Sequence, residues 1–109
     1  MKRSFFIAGV QFRPIAEIGR AMKEITIGDI LPLSPEPTNK YDPNAVQILF
    51  EHADGPVDVT FLGYVPKKFS AEVAGLMEAG VDLECVVEVV NPAAKPWEMC
   101  KVVVKEVEE

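Results

Sequence analysis

Val46, Ile48 and Phe50 alternate with Gln47 and Glu51, the period of two expected where one face of a strand is buried and the other is wet. The same alternation returns near the C-terminus. There Leu83, Cys85, Val87 and Val89 share a face opposite Glu84 and Glu88, and Cys100, Val102 and Val104 oppose Lys101 and Lys105. These patterns predict strands over 46–51, 83–90 and 99–107, and their wet faces favour antiparallel pairing. The run VDVTFLGYV, residues 57–65, predicts a further strand, joined to 46–51 by a hairpin turn at Asp54-Gly55. A different period follows. Phe69, Val73, Leu76 and Met77 stand at i, i+4, i+7 and i+8, with Pro66 opening the element and Gly80 where a helix stop is expected.

The first third of the chain is less regular. Residues 5–12, FFIAGVQF, are aromatic and β-branched and read as a strand, with Gly9 marking a bulge or a close backbone approach. Pro14 ends it. Ile15, Ile18, Met22 and Ile25 fall at helical spacing and predict a short helix over 15–25. Gly28-Asp29 signals a turn, and Ile30-Leu31-Pro32-Leu33 a short strand that its proline confines to an edge or an end. Together these elements predict a mainly β fold with one or two helices, a small, partly closed antiparallel barrel of the OB or SH3 kind.

Composition narrows the class. At 109 residues and 49% apolar content the chain fits one domain, 1–109, with a core that needs neither disulfide nor metal. No apolar run approaches a membrane span and the start MKRSFFIAGVQF is not a signal peptide, so the cytoplasm is the expected compartment. Cys85 and Cys100, each in a valine-rich run, read as buried thiols, and with one histidine they make no zinc set. The net charge of -6 is unevenly spread. Residues 1–68 carry eight basic and eight acidic side chains, whereas residues 69–109 carry three and nine. The balance opposes non-specific coating of long nucleic acid but leaves room for a local basic spot in the first part.

Catalytic machinery is hard to assemble. No serine stands in a nucleophile elbow and no glycine-rich phosphate loop appears, so neither enzyme activity nor a cofactor is expected. His52, placed beside Asp54 in the hairpin tip, reads as a solvated loop residue. Two other stretches hold more chemistry than turns require. In TNKYDPNA, residues 38–45, Pro43 pre-sets a turn and the Asx side chains at 39, 42 and 44 can cap backbone amides, yet Tyr41 must pack on something or offer its face to a ligand. In LGYVPKK, residues 62–68, Gly63 permits close approach, Tyr64 can stack or donate, and Lys67 and Lys68 open a helix whose free amides attract anions. Each has a plainer reading, as turn punctuation and as solvated lysines.

The order FxxxGVQF, then GDxLxLxxEPxNxYDPNAVQI, then GYVPKKFSAEVAGLMEAG resembles the HIRAN domain over nearly the whole chain. The resemblance implies a modified OB-like barrel and capture of the 3′ end of single-stranded DNA, the role of relatives inside fork-remodelling DNA translocases. It implies stacking of terminal bases on Phe12 and Tyr41, with Asp42 accepting a hydrogen bond from the 3′-hydroxyl. Asn39 would shape the pocket, and Lys67 and Lys68 would take the penultimate phosphate. Tyr64 stands where DNA-binding relatives can have a histidine near the phosphates. Partners would be a DNA 3′ end and a helicase or nuclease, since members occur as small bacterial or phage proteins or fused to such enzymes. The competing reading, a protein-interaction or scaffold module, is motivated by the acidic balance, by Gln11 where DNA-binding relatives have arginine, and by strand edges open to augmentation. A hydrolase acting on nucleic acid or phosphoanhydride bonds ranks third, with no phosphate loop or metal ligands to support it.

Overall fold

A computed structural model describes residues 1–53 and 58–107; the expected Asp54-Gly55 turn and the Glu108-Glu109 tail lie outside the described residues. Among the described residues, seven strands and two α-helices follow one another as β1 (Lys2–Phe6), α1 (Ile15–Glu24), β2 (Ile30–Leu31), β3 (Leu33–Pro35), β4 (Val46–Glu51), β5 (Val59–Tyr64), α2 (Lys67–Glu78), β6 (Leu83–Val90) and β7 (Cys100–Glu106). They form two antiparallel sheets, one in the order β1-β7-β6-β2 and the other β3-β4-β5. The mainly β class is as expected, but the sheets are not closed into the barrel that the strand count suggested.

Two seams tie the sheets together. Pro32 interrupts what the sequence reads as one strand, so Ile30-Leu31 pairs with β6 while Leu33–Pro35 pairs with β4. Both pieces lie on sheet edges, as a proline that cannot donate requires. The second seam is a bridge in which the Ala8 amide donates to the Tyr64 carbonyl at 2.9 Å and the Tyr64 amide returns the bond to Ala8 at 2.8 Å.

Core and caps follow the sequence patterns closely. Val46, Ile48, Leu62, Val73, Cys85, Val87, Cys100, Val102 and Val104 are all buried. Helix α2 ends where expected. Gly80 takes a left-handed φ of 83°, its amide bonds the Met77 carbonyl and that of Val81 the Leu76 carbonyl, which closes the last turn as a Schellman motif. Both cysteines are free, and burial pushes each thiol up to about 12, so neither is a nucleophile at neutral pH. Among the described residues no helix is long and apolar enough to cross a membrane.

Four expectations need correction. The 5–12 strand ends at Phe6, and after the Ala8 bridge Gly9, at φ 78°, turns the chain into a single 3-10 turn over Val10–Phe12. Ile18 and Met22 of α1 and Ile25 just after it are buried, but Ile15, at the first position, is 88% exposed. In β6 the register shifts between Val87 and Val89, which turns Val89 outward and packs Val90 against the core instead. His52 is no solvated loop residue. It is 3% exposed, with Nδ1 2.8 Å from Glu24 Oε2, Nε2 2.6 Å from Thr60 Oγ1, and its ring edge-on to Phe50. The imidazole therefore joins α1 to the start of β5. His52→Ala is expected to cost about 2 kcal/mol, because it strands the buried Thr60 hydroxyl and opens a cavity. Urea unfolding followed by circular dichroism checks this; a change below about 0.5 kcal/mol would mean that the histidine contributes nothing.

Candidate nucleic-acid interface

Three separate segments converge at one end of the β3-β4-β5 sheet. The first is the 3-10 turn after β1, the second the loop from β3 to β4, and the third the junction of β5 with α2. Between them lies a cleft of about 710 Å³ lined by Phe12, Asn39, Tyr41, Asp42, Tyr64 and Lys67, together with Ala8, Ala45 and Val65. Six of the seven residues singled out in the sequence thus meet in one place. Lys68 is the exception. Consecutive helical positions diverge by about 100°, and the Lys68 ammonium sits 5.0 Å from the centre of the Phe69 ring rather than in the cleft.

The close packing of β5 against the first segment makes this convergence possible. A side-chain carbon on Gly63 would lie 2.3 Å from the Ala8 carbonyl oxygen, so only glycine admits the bridge that pins the Phe12 turn beside Tyr64. Phe12 is left 81% exposed and Tyr41 79% exposed, two aromatic faces at the rim with almost no packing of their own. Lys40, unremarked in the sequence, places its ammonium 5.3 Å from the Tyr41 ring centroid. Arg13, next to Phe12, turns away onto β5, with its guanidinium 4.2 Å from the Phe61 ring centroid and Nε donating to the Phe61 carbonyl.

The loop from β3 to β4 is ordered by its own side chains. Asn39 Oδ1 accepts from the Tyr41 amide at 2.9 Å and the Asp42 amide at 3.0 Å, and Asp42 Oδ1 accepts from the Asn44 amide at 2.9 Å. The expected Asx capping is therefore present at 39 and 42. Asp42 Oδ2 accepts a 2.7 Å bond from the buried Ser70 hydroxyl, which anchors the loop to α2. That bond first, then the Asn44 amide, and more weakly the Lys67 charge, hold the Asp42 carboxyl below the usual carboxylate range against the opposing pull of desolvation. Each oxygen keeps a lone pair, so the carboxylate can still accept from a hydroxyl.

Tyr64 uses its hydroxyl within the protein. Its hydroxyl donates to Glu36, at 3.2 Å from Oε1, and accepts from Asn39 Nδ2 at 3.3 Å. Burial, and then the charge of Glu36, push the phenol up, so its proton stays where it is. Tyr64 is a wall of the cleft, held edge-on to Phe61 at 5.1 Å, and has no proton to offer a phosphate. Sequence reasoning missed both Glu36 and Ser70. Only the glutamate of the EPxN motif hinted at the first, and nothing local marked the second.

The family model of the HIRAN domain matches residues 3–106. No curated protein matches the sequence. A crystal structure of a protein from Lactobacillus plantarum is similar at a TM-score of 0.75 and 18% identity, with 100% of both chains covered. The crystal structure of the HIRAN domain of human HLTF is similar at a TM-score of 0.60 and 15% identity, covering 94% of this chain and 70% of that one. At such identities the two likenesses speak for the fold.

Proposed function

The chain belongs to the HIRAN family of DNA-binding domains, and from that premise we propose that its cleft captures the 3′-hydroxyl end of single-stranded DNA without catalysing a reaction on it. The observation that carries this reading is the cleft itself, where two exposed aromatic rings flank an ionised carboxylate and a lysine. The terminal bases stack on Phe12 and Tyr41, since every base offers a π face to an aromatic ring. Asp42 accepts a hydrogen bond from the 3′-hydroxyl and repels a phosphate in the same place. Lys67, the first residue of α2, faces the penultimate phosphate from a helix end that no side chain caps. With about one phosphate contact, log affinity should fall with log salt at a slope of about -0.7. A helicase or nuclease acting on the same DNA is the natural partner for a module of this kind.

Fluorescence anisotropy at low salt tests the reading with oligonucleotides that end in 3′-hydroxyl or 3′-phosphate. The hydroxyl end should bind more tightly, Asp42→Asn should erase the difference, and Lys67→Ala should weaken both ends alike. Equal binding of the two ends by the native protein, or none, would overturn the proposal and leave the fold to a protein-interaction role. The pH dependence has a definite sign. Because Asp42 is held below the ordinary carboxylate value of 3.8, the preference is complete above that value and is lost only as pH falls through the lowered one.

A further inference from the structure

Glu36 follows the last residue of β3, partly buried behind the cleft and outside its lining. Three side chains converge on its carboxylate: Asn39 Nδ2 at 2.8 Å from Oε1, the Tyr64 hydroxyl, and Gln47 Nε2 on Oε2. Its backbone is engaged as well, the amide donating to the Ala45 carbonyl at 2.8 Å and the carbonyl accepting from the Asn39 amide at 3.0 Å. One residue therefore closes the loop at its base and holds side chains from β4, β5 and the loop interior.

We propose that Glu36 is the positioning residue of the cleft, acting through Asn39 to set the direction of Tyr41 and Asp42. An asparagine side chain is a flat amide with a donor end and an acceptor end, and fixing one end fixes the other. Glu36 takes the donor end, which turns Oδ1 toward the Tyr41 and Asp42 amides. Those two bonds fix the backbone from which the stacking ring and the carboxylate project. An acceptor with two oxygens is needed, because three donors share it; a glutamine there would present an NH₂ group to at least one of them. The consequence for DNA rests on the proposed end capture, but the geometric claim stands apart from it.

Glu36→Gln separates the two. Amide hydrogen exchange of the nitrogen-15-labelled protein should quicken at Tyr41 and Asp42 by about fivefold, the factor that one hydrogen bond contributes, while exchange in β6 and β7 is unchanged. The preference for a 3′-hydroxyl over a 3′-phosphate oligonucleotide should fall by about the same factor. In a double-mutant cycle Asn39→Ala should mask Glu36→Gln, since both act on the same two amides. Unchanged exchange at Tyr41 and Asp42 in a folded Glu36→Gln protein would overturn the proposal. Should that variant fail to fold, Asn39→Asp keeps the acceptor oxygen but sets an oxygen against Glu36, and native-like exchange there would overturn it equally. If the native protein binds neither oligonucleotide, end capture falls and the exchange data alone decide the role of Glu36.

Discussion

Gly63→Ala should lower the unfolding free energy by about 3–5 kcal/mol, a large share of the roughly 5–15 kcal/mol available to a domain of this size. The new methyl would stand 2.3 Å from the Ala8 carbonyl oxygen and 2.9 Å from Ile7 Cγ2. Both neighbours are constrained, since Ile7 is buried and bonded through its amide to the Cys100 carbonyl, while Ala8 exchanges two bonds with Tyr64. Relief therefore means prying the Phe12 segment off β5. Overpacking costs about 1–3 kcal/mol, and the two backbone bonds add about 1 kcal/mol each. Urea titration of native and variant proteins measures the difference as a shift of midpoint at constant slope. A loss under 1 kcal/mol would show that the first segment yields freely and that Phe12 is not positioned by this seam.

Removing both rim aromatics should have the opposite profile. Stacking contributes about 1–3 kcal/mol per base, so Phe12→Ala with Tyr41→Ala should weaken oligonucleotide binding at least about thirtyfold. Because the two rings are 81% and 79% exposed, the same double variant should unfold within about 0.5 kcal/mol of the native protein. Binding and stability are thus expected to separate, which Gly63→Ala cannot achieve. A stable double variant that still binds as the native protein does would remove the aromatic faces from the mechanism.

Much of this was legible in the sequence, for physical reasons that differ by element. The alternation in β4 survives because one of its faces is buried along the whole strand, and α2 announces itself because spacing, opening proline and closing glycine agree. The first strand misled because β propensity cannot show where a partner ends. β1 stops pairing at Phe6 opposite Lys101, the second residue of β7, and beyond it the FFIAGVQF run keeps an amide bond from Ile7 to Cys100 and the Ala8 bridge to Tyr64 before Gly9 turns it aside. Val89 misled because a bulge shifts the face by one residue without any mark in the local pattern. His52 misled because one of its two partners, Glu24, lies 28 residues away on a helix.

The candidate site divides in the same way. Tyr41 stood out because an aromatic in a polar turn is anomalous where it stands, and Gly63 because a glycine inside a strand implies close approach. Glu36 and Ser70 are ordinary where they stand. Their significance comes from what the fold brings to them, namely Tyr64 and Asp42, each 28 residues distant in sequence. Lys68 lies outside the cleft for the converse reason, since adjacency in sequence hides the turn of the helix between it and Lys67.

Pro32 has a mechanical meaning beyond its place at two edges. The residues on either side of it belong to different sheets, with Leu31 opposite Cys85 and Leu33 opposite Ile48. Only one residue separates the two ladders, too little chain to absorb any sliding between them. A displacement of the loop at the cleft would be passed along β3 through this corner to the sheet that contains both β1 and β7. The domain should therefore resist such a displacement as one piece, like a cleat rather than a hinge.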